Sequence, residues 1–172
     1  MIQIYFGNGK GKTTAAIGQA VRFASYGFPV LMIKFLKRPN TSGEDRLLKK
    51  WKLIRIVHSS FPCPLSIGHL SRETRKKVFQ SQRDLFFSLP RFLERPYRMI
   101  VLDEILDLVK PGIIRTEELV SGLRNAASQT EIILTGHYLN PRIKAQADLV
   151  TKMEKIKHYF NKGVKARKGI EF

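Results

Sequence analysis

Short apolar runs alternate along the chain with longer stretches in which apolar residues recur at helical spacing. Several runs are apolar without alternation, which is typical of parallel strands covered on both faces of a sheet. Six of these runs predict strands, at residues 2–6, 30–36, 53–57, 99–102, 132–134 and 149–153.

Four of the intervening stretches predict helices. The first keeps one apolar face over residues 17–24 and ends at Gly27. The second starts near Ser71, and Thr116 caps the third, whose first turn is acidic. Pro141 opens the fourth, at a first helical position that suits proline.

Strands that alternate with helices in this way predict a single α/β domain, residues 1–172, with a mostly parallel sheet. Ligands of such sheets bind beyond the carboxyl ends of the strands. We therefore expect the functional residues in the loops that follow the strands. These loops are residues 7–12, 37–45, 58–70, 103–112 and 135–140.

The net charge of +17, from 31 Lys and Arg against 14 Asp and Glu, adds a strong attraction for anions. Nine basic residues fall within residues 142–168. Nucleic acid, nucleotides and phosphate-bearing cofactors all fit this charge, and so does a merely solvated surface. With one cysteine, no apolar run long enough for a membrane helix and no signal-like start, we expect a soluble cytoplasmic protein.

The stretch GNGKGKT, residues 7–13, lies between a predicted strand and a predicted helix, as a phosphate-binding loop does. Its spacing is G-x-x-x-G-K-T, one residue shorter than the usual pattern, which would need glycine where Phe6 stands. Glycines let the backbone approach an anion, Lys12 would contact phosphate oxygens, and Thr13 would place a hydroxyl on Mg²⁺. Lys10 adds a second cation.

The apolar run that ends in Asp103 and Glu104 supplies the acidic partner of such a loop. A carboxylate at a strand tip can hold Mg²⁺ directly or through water. Taken alone, Asp103 would be better interpreted as a helix cap. Together with the Gly-Lys-Thr sequence, however, the pair predicts a site for ATP and Mg²⁺.

The chain resembles the P-loop type of ATP:corrinoid adenosyltransferase, the enzyme family that converts cob(I)alamin to adenosylcobalamin. The resemblance runs from about residue 4 to the last residue. The segments that carry it are GNGKGKTTAAIGQAVRFASYG with Arg22, IKFLK…SGED, VLDEI, ILTG and the ending ADLVTKMEKIKHYFNKGVKARKGIEF.

This resemblance implies a P-loop fold with about six strands and a homodimer that works with an electron-donating reductase. In the implied reaction, Co(I) of the corrinoid attacks C5′ of ATP and triphosphate departs whole. The implied catalytic residues are Lys12, Thr13 and Glu104, and the metal ligands are Thr13, Glu104 and Asp103. The implied ligand-binding set is Gly7, Asn8, Gly9, Lys10, Gly11, Lys12, Thr13, Thr14, Arg22 and Phe61.

The family packs apolar and aromatic side chains under the corrin ring from the loop after the third strand. Phe61 stands where the family has an aromatic residue. It could pack under the corrin ring, or it could simply anchor the loop. Cys63 replaces a tryptophan that is frequent in bacterial relatives, and His137 and Lys152 are two smaller departures. His58, Cys63 and His69 match no standard zinc spacing, so a structural metal there is a weak hypothesis.

Two other functions fit part of the sequence. A nucleic-acid-stimulated ATPase would explain the charge and the phosphate loop, but no nucleic-acid motif or aromatic stacking platform accompanies them, so we expect no nucleic-acid partner. A non-catalytic carrier of corrinoid or nucleotide is suggested by the Cys63 departure. It would bind its ligand without turnover.

Overall fold

The computed structural model of the protein describes residues 1–39, 42–61, 63, 69–126 and 130–171. Its strands occupy all six predicted positions, with ends that differ from the predicted ones by at most two residues. They are β1 Ile2–Phe6, β2 Val30–Lys34, β3 Ile54–His58, β4 Met99–Asp103, β5 Glu131–Gly136 and β6 Leu149–Lys152. β2 ends before the predicted Leu36, because Leu36 adopts a left-handed backbone conformation with φ 53°.

The strands form one sheet in the order β3-β2-β4-β5-β1-β6, and every neighbouring pair is parallel. This confirms the α/β fold and makes the sheet fully rather than mostly parallel. Phe6 of β1 is in register with Gly136 of β5, and Lys34 of β2 is in register with Asp103 of β4. The loops after β1, β2, β4 and β5 therefore all lie at the carboxyl ends of the strands, on one side of the molecule.

The helices are α1 Lys12–Ser25, α2 Gly43–Leu48, α3 Arg72–Phe87, α4 Leu89–Leu93, α5 Thr116–Ala126 and α6 Pro141–Lys144. α3 begins next to Ser71 and α6 begins at Pro141, as the sequence predicts, and the side chains of Ser71 and Asn140 cap these two helices. Thr116 is a correction, because it is the first residue of α5 rather than its cap. The short helices α2 and α4 were not predicted, and none of the described helices is long and apolar enough to cross a membrane.

Apolar residues cover both faces of the sheet, as unbroken apolar strands require. On one face Val30 and Met32 of β2 pack with Ala16 and Ala20 of α1. On the opposite face of the sheet, the strand side chains that point the other way pack against α3 and α5. Because these small alanines pack α1 closely against the sheet, the N-terminus of α1 is fixed beside the carboxyl end of β1.

Candidate active site

The phosphate loop, residues 7–13, joins β1 directly to α1. Gly7 and Gly11 have φ values of 117° and 109°, which side-chain-bearing residues rarely adopt. Within the described part of the chain, no side chain caps the first turn of α1. The free N–H groups and the helix dipole therefore present a partial positive charge where an anion can bind.

Segment 153–155, which directly follows β6, presses against this loop. The Gly9 N–H donates to the Met153 carbonyl at 2.8 Å, and the Lys155 N–H donates to Asn8 Oδ1 at 3.0 Å. A Cβ on Gly9 would lie 2.8 Å from the Met153 carbonyl, and a Cβ on Gly7 would collide with the same group. The glycines at these two positions are thus required by the packing of the chain on itself, in addition to any ligand.

Asp103, at the end of β4, is completely buried and organises the acidic side of the site. Its Oδ1 accepts hydrogen bonds from Thr13 Oγ1 at 2.8 Å and from Thr135 Oγ1 at 2.7 Å. Thr135 in turn accepts the N–H of Glu104 at 2.8 Å. These bonds bring the first turn of α1 and the tips of β4 and β5 to one point.

Glu104 adopts a left-handed conformation with φ 63°, which is uncommon for a residue with a side chain. Its carboxylate, 28% exposed, lies 3.5 Å from Lys37 Nζ. Burial raises the pKa of Glu104, and the positive charge of Lys37 opposes this increase. The strained backbone is the kind of feature that functional sites retain.

Lys37 is a site residue that the sequence analysis did not single out. Its Nζ lies 2.6 Å from Asp103 Oδ2, 3.2 Å from Thr13 Oγ1 and 3.5 Å from Glu104 Oε1. Burial would lower the pKa of Lys37, but the two carboxylates outweigh burial and raise it. A lysine three residues beyond a buried strand, within a loop already expected to carry function, was the available signal.

Lys12 folds back onto its own loop, where its Nζ donates to the Gly9 carbonyl at 2.7 Å. Burial lowers its pKa, and the carboxylates of Asp107 and Glu104 partly restore it. This position keeps the ammonium group over the loop, beside the N–H groups of the first turn of α1.

Lys10, in contrast, turns away from the acidic tip. Its Nζ contacts Tyr159 Oη at 3.0 Å and Glu171 Oε1 at 3.1 Å, near the end of the chain. Thr14 is exposed in the first turn of α1. Arg22 lies in the last turn of α1, about 15 Å along the helix from Lys12, so the structure does not bring it to the loop.

Phe61 lies half-buried in the loop after β3. Its carbonyl accepts from Ser59 Oγ at 2.9 Å, and Ser59 Oγ accepts from the buried side chain of Gln82 at 2.9 Å. Cys63 is buried, and its carbonyl accepts from Arg38 Nε at 2.9 Å. Residues 62 and 64–68 of this predicted corrinoid loop lie outside the described residues.

A buried ion-pair cluster lies beside this loop. The fully buried Lys34 Nζ contacts Asp45 Oδ1 at 2.5 Å and Glu44 Oε1 at 3.1 Å. His58 Nε2 lies 3.0 Å from Asp45 Oδ2, although this contact lacks hydrogen-bond geometry. Lys34 and His58 hold the pKa of Asp45 well below its usual range, against the effect of burial.

His58 is therefore engaged with Asp45 rather than with Cys63 or His69. Among the described residues, no group of three His, Cys, Asp and Glu side chains lies close enough together to hold a metal. Of the other departures from the family, His137 Nδ1 lies 2.9 Å from Asp107 Oδ2, and Lys152 Nζ contacts Glu154 at 3.1 Å.

Comparisons with known proteins agree on one family. The sequence model of the family described as ATP:corrinoid adenosyltransferase BtuR/CobO/CobP matches residues 1–172. The corrinoid adenosyltransferase of Escherichia coli K12 is 30% identical over 173 residues, which are all of this chain and 85% of that protein. The corrinoid adenosyltransferase CobA of Salmonella typhimurium LT2 is 31% identical over 174 residues, again all of this chain and 85% of that protein.

Solved structures with a similar fold include a KaiC-like protein. The KaiC-like protein PH0186 of Pyrococcus horikoshii OT3 superposes with a TM-score of 0.54 at 17% identity. The match covers 89% of this chain and 71% of that one. This likeness supports the P-loop architecture and no particular activity.

Proposed function

Because the chain belongs to the ATP:corrinoid adenosyltransferase family and so forms adenosylcobalamin, we propose that this transfer takes place between the phosphate loop and the tip of β4. The observation that carries the proposal is the convergence on Asp103. There the hydroxyl of Thr13, from the first turn of α1, meets the acidic tip of β4. Phosphate-binding N–H groups and acidic oxygens thus lie within reach of one nucleotide.

The site suits a reaction in which ATP loses its whole triphosphate. Cobalt(I) of the corrinoid substrate is itself a strong nucleophile and attacks C5′ of the ribose, so no general base is needed. Triphosphate leaves with more negative charge than it carried as an ester. The loop N–H groups and Lys12 stabilise that developing charge, and the protein contributes position and electrostatics rather than a covalent step.

The oxygen atoms at the tip of β4 fit a magnesium ion. Thr13, Asp103 and Glu104 offer a hydroxyl and two carboxylates, the ligand chemistry that Mg²⁺ prefers, and an ammonium group already lies among them. Thr13 and Glu104 would hold the ion, and Asp103 would act directly or by orienting Thr13. The positive charge of the ion would stabilise the negative charge that develops on the leaving phosphates. Two carboxylates suffice, since Mg²⁺ commonly takes its remaining ligands from phosphate and water.

The rest of the loop binds phosphate in this proposal. Gly7, Gly9 and Gly11 shape the backbone, while Thr14 and Asn8 offer further contacts. Asn8 Oδ1 is bonded to the Lys155 N–H in this structure, which leaves its amide N–H₂ as the donor group. Lys10 would have to leave Tyr159 and Glu171 before it could contact a phosphate.

Phe61 is proposed to pack against the lower face of the corrin ring, where an apolar side chain helps to displace the lower axial ligand of cobalt. A reductase would supply the electron that turns Co(II) into Co(I). We further propose one domain over residues 1–172, a homodimer and a cytoplasmic location. All four residues of the edge strand β6 are exposed, so this strand is available for contact with a second copy of the chain in a dimer.

Replacing Lys12 or Glu104 by alanine tests the assignment of the site. Each variant should reduce turnover of pre-reduced cob(I)alamin by about 10²-fold or more, because each removes a preorganised electrostatic contact. Steady-state rates and thermal unfolding should be measured together. Lys77→Ala, which removes an exposed cation paired with Glu73 on α3, is the charge-matched control for Lys12→Ala. Near-normal rates in either site variant would refute the assignment.

A further inference from the structure

Lys37 occupies the place between the three oxygen-bearing residues that the proposed function assigns to magnesium. Its ammonium group contacts Asp103, Thr13 and Glu104 at 2.6, 3.2 and 3.5 Å. We propose that Lys37 is an exchange cation: it neutralises these residues in the nucleotide-free protein, and it moves onto the triphosphate when the metal and ATP bind. The inference rests on the proposed function and adds a residue that binds the leaving group.

Two hydrogen bonds hold the backbone just before Lys37, and the side chain of the next residue is anchored as well, so the exchange requires only the Lys37 side chain to move. The Phe35 N–H donates to the Asp103 carbonyl at 3.0 Å, and the Leu36 N–H donates to Gln82 Oε1 at 3.0 Å. Arg38 Nε is bonded to the Cys63 carbonyl at 2.9 Å. A lysine on a fixed backbone still has a flexible four-carbon stem, with which its charge can change partner.

Electrostatics make the two occupants mutually exclusive. An ammonium group in contact with both carboxylates repels a divalent cation that approaches the same oxygens. The ammonium must therefore leave when the metal enters, and the triphosphate arriving with the metal is the nearest new anion. Lys37 thereby keeps the buried Asp103 paired before ATP binds, and afterwards it adds a cation to the leaving group beside Lys12.

This exchange predicts effects of opposite sign on two ligands. In Lys37→Met, which keeps the length of the side chain without its charge, Mn²⁺ should bind the nucleotide-free protein about fivefold more tightly or better, since its competitor is gone. Inorganic triphosphate with Mg²⁺ should bind about tenfold more weakly or worse, since a charge-assisted contact is lost. Mn²⁺ binding is measured by electron paramagnetic resonance and triphosphate binding by calorimetry, with thermal unfolding recorded for each variant.

Two further variants serve as controls. Lys77→Met removes the same charge from an exposed position on α3 and should change neither affinity. Lys37→Arg keeps the charge and should retain both the weak Mn²⁺ binding and most of the triphosphate affinity. If Lys37→Met alters folding, the arginine variant still tests the exchange, because tighter Mn²⁺ binding in the presence of that charge contradicts it.

The inference is overturned if Lys37→Met weakens the binding of both ligands, because Lys37 would then be a structural residue. It is also overturned if both affinities stay unchanged. These outcomes differ from a failure of the proposed function. If the metal and phosphate site were misplaced, Lys12→Ala would leave triphosphate binding intact and Glu104→Ala would leave Mn²⁺ binding intact. If only the exchange is wrong, Lys12→Ala weakens triphosphate binding and Glu104→Ala weakens Mn²⁺ binding, while Lys37→Met does not show its opposite effects.

Discussion

Asp103 shows how the site works at the scale of single residues. It is fully buried, and its carboxylate is paired with Lys37 and accepts hydrogen bonds from two threonine hydroxyls. A buried charge without such partners would be strongly destabilising. Its identity could be predicted from its place at a strand tip beside a phosphate loop. The contacts of Lys37 and Thr135 with Asp103 could not be predicted, because they depend on β2, β4 and β5 being neighbours, which chain order alone does not specify.

Phe61→Ala tests the proposed packing under the corrin ring. Because an apolar side chain there should favour loss of the lower axial ligand, turnover that starts from cob(II)alamin and reductant should fall more than turnover on pre-reduced cob(I)alamin. Both rates are followed by the corrin absorption spectrum. Equal losses on the two substrates would show that the Phe61 side chain only supports its loop.

At the scale of elements, the packing of segment 153–155 against the phosphate loop explains the glycines better than ligand binding alone does. The loop glycines were predicted from the motif, since a motif of this kind is local in sequence. The contact with Met153 was not, because it joins residues almost 150 positions apart. The short helices α2 and α4 escaped prediction for a related reason: helices of six and five residues carry too little periodicity to recognise.

Gly9→Ala should lower the free energy of unfolding by about 1–3 kcal/mol, the usual cost of overpacking against a fixed neighbour. The new Cβ would lie 2.8 Å from the Met153 carbonyl, which is backbone and cannot rotate away. The matched control is Gly18→Ala in α1, where a Cβ meets nothing within 4 Å and should add about 0.5–1 kcal/mol of stability. Urea unfolding measures both, and equal shifts of the same sign would contradict the packing argument.

Asp45→Asn should destabilise the protein by about 3 kcal/mol or more at neutral pH, because it leaves Lys34 buried without its closest carboxylate. The folded-state pKa of Asp45 is lowered, so its stabilisation is complete above the unfolded carboxyl pKa of about 3.9 and is lost progressively below it. The difference between wild type and variant should therefore narrow from pH 7 to about pH 2.5.

Urea unfolding at both pH values checks this pH dependence. Asp84→Asn, an exposed change on α3, should alter stability little at either pH. A gap between wild type and Asp45→Asn that stays constant across the range would show that the charge of Asp45 does not stabilise α2 against β2.

For the whole molecule, the parallel sheet and the phosphate loop could be predicted, because unbroken apolar runs and a glycine-rich turn are strong local signals. The net charge of +17 could not select a function, since a positive field attracts ATP and nucleic acid alike. Membership of the adenosyltransferase family is what separates adenosyl transfer from ordinary ATP hydrolysis.

The most direct test is an anaerobic incubation with ATP, Mg²⁺ and pre-reduced cob(I)alamin, in which the corrin spectrum is followed and the phosphate product is identified. Adenosyl transfer predicts a light-sensitive alkylcobalamin together with intact triphosphate, as attack at C5′ requires. ADP and orthophosphate with an unchanged corrin spectrum would contradict it and indicate an ordinary ATPase. Bound ligand with neither product would contradict it in favour of a carrier.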